Sequence, residues 1–158
     1  MMDEGLTRLA YRIRRELNEL ELVLARIEEG WQRAHRSDDD YYLDGVALNL
    51  HGFYSGIERV FSLIAEIVDG SIPQGENWHL LLLRQMTAEI LDVRPAVISV
   101  SVSKDLNEYR GFRHVVRNVY TYHFDPEKIE KLVDKVPDLY RQLKLELSAF
   151  ADFLEQKA

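Results

Sequence analysis

The sequence has no cysteine. Disulfides, thiolate nucleophiles and cysteine metal sites are therefore excluded, and such a composition suits a reducing, cytoplasmic location. It also lacks a long apolar run, and nothing approaches the roughly 20 residues needed to span a bilayer. The opening Met1-Met2-Asp3-Glu4 is acidic and leads into no apolar segment, so no secretory signal is expected. Glycine and proline number only eight and four of 158 residues. That leaves room for long helices and none for a flexible linker, a low-complexity tract or an internal repeat. Positive charge is in deficit as well. Twenty Lys and Arg against 27 Asp and Glu give a net charge of −7, which does not suit general binding of a polyanion. Missing too are a glycine-rich phosphate loop, a cluster with metal-ligand spacing and a recognisable serine–histidine–acid set. No metal and no other cofactor is expected.

What is present is leucine-rich helical periodicity. Leu6, Leu9, Ile13, Leu17, Leu20, Leu24, Ile27 and Trp31 recur at threes and fours, and predict an amphipathic helix from about residue 3 to residue 35. Ser37-Asp38-Asp39-Asp40 ends it and caps the next. The acidic triplet is not read as a metal site, because three consecutive residues do not converge. A second helix follows with Leu43, Val46, Leu50, Phe53, Ile57, Val60, Phe61, Ile64 and Ile67, and Gly52 and Gly56 could admit a neighbouring helix. His51 and Glu58 are read as hydrogen-bonding within the bundle or at an interface, with a ligand role as the alternative.

Asp69-Gly70-Ser71-Ile72-Pro73-Gln74-Gly75 reads as a loop. A shorter helix is expected from about residue 76 to residue 92, ending before Pro95. At its start, Trp78 is read as a core or interface residue and His79 as structural, with a site role as the alternative. Residues 96–102 alternate like a strand but have no partner strand, so they are read as a buried connector or frayed helix. Ser103 is taken to cap a helix running to about residue 124. Asp125-Pro126-Glu127 then stops and restarts the chain. Ile129, Leu132, Val133, Val136, Leu139, Leu143, Leu147, Phe150 and Leu154 form the stripe of a last helix, which Pro137 should kink. The expected fold is all-α: an up-and-down bundle of four long helices plus a short or broken one, as one domain over residues 1–158.

One stretch concentrates the scarce positive charge: Tyr109-Arg110-Gly111-Phe112-Arg113-His114-Val115-Val116-Arg117-Asn118-Val119-Tyr120. At about 100° per residue with Arg113 at zero, Arg117 falls near ~40°, Arg110 near ~60°, His114 near ~100°, Asn118 near ~140° and Tyr120 near ~340°. Phe112, Val115, Val116 and Val119 share the opposite, apolar side. Cations on one face repel unless an anion sits among them, which points to a phosphate-bearing ligand. The alternative is a solvated face whose arginines reach acids on neighbouring helices. Both readings stay open on spacing alone.

Gly111-Phe112-Arg113-His114-x-x-x-Asn118-x-Tyr120, followed by Asp125-Pro126, resembles the signature of HEPN domains, in particular the HepT-like ribonuclease toxins. In that signature an arginine and a polar residue are followed, after three spacers, by a histidine, one spacer and a tyrosine. The second helix around residues 50–61 and the loop and helix start at residues 76–79 are similar to the same family. The departure is Asn118, which stands where the family has its histidine. Asparagine has no proton to exchange near pH 7, so it can orient a group but cannot act as a general base. His114 is the substitute nearest on the polar face. Arg117 with His123 fits a looser spacing, but His123 projects to the apolar side and lies at a helix end.

The resemblance implies metal-independent RNA cleavage by a homodimer whose two motif helices form one cleft. In it Arg113, His114 and Asn118 would be catalytic, and Arg110, Arg117 and Tyr120 would bind substrate. It also implies an MNT-type nucleotidyltransferase antitoxin as partner, which would modify Tyr120 with AMP. The alternative is a HEPN module that binds RNA or a nucleotide without cutting it. A third reading is a helical interaction protein with its arginines paired to acids.

Overall fold

A computed structural model describes residues 3–158. The chain forms α1 (Glu4–Ser37), α2 (Tyr42–Ile64), α3 (Trp78–Thr87), α4 (Val100–Asn118) and α5 (Pro126–Lys157). A π-helical turn, Ala65–Asp69, extends α2, and a 3-10 turn, Thr121–His123, lies between α4 and α5. Four helices are long and α3 is short, so the all-α bundle expected from the periodicity is what forms. Among the described residues no helix is long and apolar enough to cross a membrane.

Helix ends follow local chemistry. Asp3 caps α1 by accepting from the Gly5 and Leu6 amides at 2.9 and 3.3 Å. Asp38 ends α1 in the left-handed region at φ 51°, and Asp39 accepts from the Tyr41 amide. The acidic triplet is thus helix punctuation. Asp125 caps α5 with Pro126 behind it, and α5 continues as one helix through Pro137.

Helix α2 is the hub. It buries Val46, Leu50, Phe53, Tyr54, Ile57, Val60, Phe61 and Ile64, a stripe of roughly 120° at about 100° per residue that faces the other helices. It touches α1, α3, α4 and α5, and α1 also packs along α5. At Gly56 side chains of α1 crowd in: a Cβ there would meet Glu16 Oε1 at 2.7 Å and Leu20 Cδ2 at 3.2 Å. At Gly52 the space is open. Two buried tyrosines tie α5 in place, Tyr109 donating to the Leu132 carbonyl and Tyr140 to that of Leu17, each at 2.7 Å.

Three boundaries differ from the sequence reading, two for tertiary reasons and the third for local propensity and packing together. Helix α3 ends at Thr87 because Arg94 folds the chain back through a tight turn, with Ile90 bridged to Arg94 and Asp92 at φ 64°. Helix α4 starts at Val100, capped by Ser99 and not Ser103. Ser99 Oγ accepts from the Val102 amide and donates to Glu146 on α5. At its other end α4 stops at Asn118. The run Val119-Tyr120-Thr121-Tyr122 is β-branched and aromatic, a poor helix former, and Phe124 turns inward beside Phe112.

Candidate functional site

Polar groups gather where α2, α3 and α4 meet. Helix α2 presents His51, Tyr54 and Glu58, whose spacings of three, four and seven put them on one face. The first turn of α3 brings His79, and α4 brings Arg113. Glu58 is the centre. Its side chain is only 8% exposed, and its two oxygens lie 2.7 Å from His79 Nδ1 and 3.4 Å from Arg113 Nη1. A carboxylate this buried costs several kcal/mol unless paired, and these two groups, with the Tyr54 phenol beside it, are what pair it. Burial first, and then the Glu58 charge, push the Tyr54 hydroxyl far above the usual phenol range, so it stays protonated.

The His79 ring is oriented by that contact. An ionised carboxylate only accepts, so Nδ1 carries the proton and the lone pair of the neutral ring lies on Nε2. Arg113 Nη1 is 3.0 Å from Nδ1 and 3.1 Å from Nε2. Near-equal distances to both ring nitrogens put Nη1 over the ring face, out of line with the in-plane Nε2 lone pair, so the guanidinium stacks on the imidazole and leaves that lone pair free. The indole of Trp78 lies 3.6 Å away, centroid to centroid, and backs the ring. Two polar atoms here are buried without a partner among the described residues, Arg113 Nε and His51 Nε2. Burial, then the charges of Arg113 and Arg117, push the His51 imidazole below its usual range, and Glu58 opposes them.

The residues singled out on α4 divide between this junction and the outer surface. Arg113 is inside, with 18% of its side chain exposed. Arg110 is half-buried and donates to Asn107 at 2.7 Å. Arg117 is exposed, yet its charge is felt at His51. His114 and Asn118 are exposed and adjacent: the Asn118 amide donates to the His114 carbonyl at 2.9 Å and lies 3.2 Å from His114 Nδ1. Tyr120 lies beyond the helix end, so its projection beside Arg113 does not hold. It is 75% exposed and stacks parallel to Tyr122 at 6.0 Å. His123 is exposed next to Tyr122.

His51 and Glu58, read from sequence as hydrogen-bonding within the bundle or at an interface, and His79, read as structural, are the members that the sequence did not single out as a site. A single polar residue on an otherwise apolar helix has no period of its own. The available signal was the seven-residue spacing of His51 and Glu58 on one face of α2. A cleft of about 370 Å³ between the end of α1 and the start of α2, lined by Arg26, Arg33, Tyr41 and Asn49 among others, includes none of these groups. Among the described residues no three His, Asp or Glu side chains converge as a metal site would.

A family model described as HepT-like protein matches residues 45–154, from α2 through nearly all of α5. The chain belongs to the HepT-like family. The match covers more than two thirds of the chain and holds every residue of the Glu58 junction, as well as the α4 motif. No curated protein matches the chain, and no solved structure does. Within this HepT-like chain, the motif arginine sits at the buried end of a network that crosses three helices.

Proposed function

We propose that the chain is the toxin of a HEPN/nucleotidyltransferase toxin–antitoxin pair, a metal-independent RNA endonuclease acting as a homodimer. The observation that carries this reading is Arg113. It is a held guanidinium with a buried donor, Nε, that no group among the described residues uses, on a helix that also presents Arg110 and Arg117. A guanidinium is a charge-assisted donor suited to a phosphate oxygen, and a shift of the side chain toward the ligand would bring Nε into bidentate reach. In this reading Arg113 holds the scissile phosphate, Arg110 and Arg117 flank the strand, and Asn118 positions the ribose. His114, from one subunit or the other, gives the leaving oxygen its proton. Tyr120 binds substrate in the free toxin. Its exposure makes it accessible to an MNT-type nucleotidyltransferase, and an AMP phosphate there adds negative charge to a basic surface.

A second reading, an RNA- or nucleotide-binding module without turnover, is favoured by Asn118, which cannot exchange a proton. Cleavage of a mixed RNA in chelator separates the two. Wild type cuts and Arg113→Ala does not under the first reading, whereas equal cleavage by both would assign the activity elsewhere. Wild type that binds RNA without cutting it favours the second.

A further inference from the structure

We propose that His79, held by Glu58, accepts the proton of the attacking 2′-hydroxyl at the Arg113 site. The proposal rests on the endonuclease reading above and supplies a group that the α4 motif lacks. Asn118 has no proton to exchange, and His114 is exposed with only Asn118 at its Nδ1. Among the described residues no carboxylate pairs with His114. His79 differs on each count. Its Nδ1–H donates to Glu58 at 2.7 Å, which fixes the tautomer and leaves Nε2 as the proton acceptor. The Glu58 carboxylate is 8% exposed and the His79 side chain 24%. The orienting charge is thus inside, and the ring reaches the surface.

Position is the second argument. Nε2 lies 3.1 Å from Arg113 Nη1, so the base and the phosphate-holding cation share one point. A phosphodiester held by the Arg113 guanidinium lies beside the His79 ring, whose Nε2 lone pair is free to accept. In RNA the 2′-hydroxyl is the group next to that phosphorus. Nε2 then takes the 2′-hydroxyl proton and the 2′-oxygen forms a bond to phosphorus. The bond from phosphorus to the 5′-oxygen breaks, and that oxygen leaves with its electron pair and takes the proton assigned to His114. The products are a 2′,3′-cyclic phosphate and a 5′-hydroxyl. The proton on His79 returns to solvent, and Glu58 keeps its charge throughout, offsetting the imidazolium that forms. Glu58 is therefore a positioning residue, since it touches His79 and not the substrate.

The test uses the full chain in chelator on a single-stranded RNA, with rate measured against pH and RNA affinity measured in parallel. His79→Gln should lower the cleavage rate by ~10²–10⁴-fold at unchanged RNA affinity and remove the acidic limb of the pH profile. His114→Gln should leave that limb in place. Glu58→Gln should lower the rate less and move the acidic limb, and Glu58→Asp should restore part of the loss. Imidazole added to His79→Gly should recover activity, which a lost structural contact would not. Wild-type rates in His79→Gln, or an acidic limb that survives in it while Arg113→Ala is inactive, would overturn this proposal alone. Wild type without metal-free cleavage overturns the endonuclease reading and this proposal together.

Discussion

Arg94 and Arg113 each set a guanidinium against a carboxylate inside the bundle, and they differ in how many of their donors are used. Arg94 is 0% exposed and its partner Asp69 2%. Its Nε and Nη2 grip both Asp69 oxygens at 2.6 and 2.8 Å, Nη2 also donates to the Gln85 carbonyl, and Nη1 donates to the Ala88 and Pro95 carbonyls. All of its N–H groups are thereby satisfied. Arg113 meets Glu58 at a longer 3.4 Å, stacks one nitrogen on a histidine ring and leaves Nε unpartnered among the described residues. Saturation marks Arg94 as a staple joining the end of the π-helical turn, the end of α3 and the connector before α4. Unused capacity beside a titratable ring separates Arg113 from Arg94, and the phosphate contact proposed above rests on that difference.

Substitution separates the two arginines by size of effect. Arg94→Met should cost about 3–5 kcal/mol, because it leaves a buried Asp69 charge without its fork. Urea unfolding checks this, and a loss within ~0.5 kcal/mol would break the contrast. Arg113→Ala should cost less, about 1–3 kcal/mol, since Glu58 keeps His79 as a partner. A cost equal to that of Arg94→Met would make Arg113 a staple as well. Inorganic phosphate sharpens the difference. At a concentration equal to its dissociation constant it should stabilise the wild type by about 0.4 kcal/mol and leave Arg113→Ala unchanged. Thermal melts with and without phosphate, at matched ionic strength, measure this.

The smallest expected effect belongs to His51, the other unpartnered group of the junction. Its folded-state pKa is depressed, chiefly by burial and then by the arginine charges. The unfolded chain therefore binds a proton as pH falls below about 6.5 while the folded one resists. Stability contributed by the neutral ring is complete above that pH and declines below it. His51→Gln should flatten the acid side of the stability–pH curve, as read by unfolding midpoints. An unchanged curve would mean that His51 is solvated as freely in the folded chain as in the unfolded one.

Much of the bundle was legible because burial repeats. The apolar stripes of α1, α2 and α5 recur every three or four residues, and most of those positions are buried, with Leu24, Trp31 and Leu43 half-buried and Ile67 exposed. The Asp125-Pro126 restart was legible because capping is local. The ends of α3 and α4 were not, since they depend on Arg94 reaching Asp69, Ser99 reaching Glu146 and Phe124 reaching Phe112, all distant in sequence. The same limit applies to Tyr120. A helical projection placed it beside Arg113, but its position is decided by where α4 stops.

The sequence by itself determined an all-helical chain, a cationic motif on its fourth helix and, through that motif, the HepT-like family. Those properties lie in residue order, in the period of apolar side chains and in short-range spacing. Only the tertiary structure decided which polar groups would be buried together. Glu58, His79 and Arg113 come from three helices and are separated by 21 and 34 residues. The buried carboxylate could be accommodated only with a cation and a ring N–H against it, so packing α2 against α3 and α4 assembled the cluster that no local pattern announces.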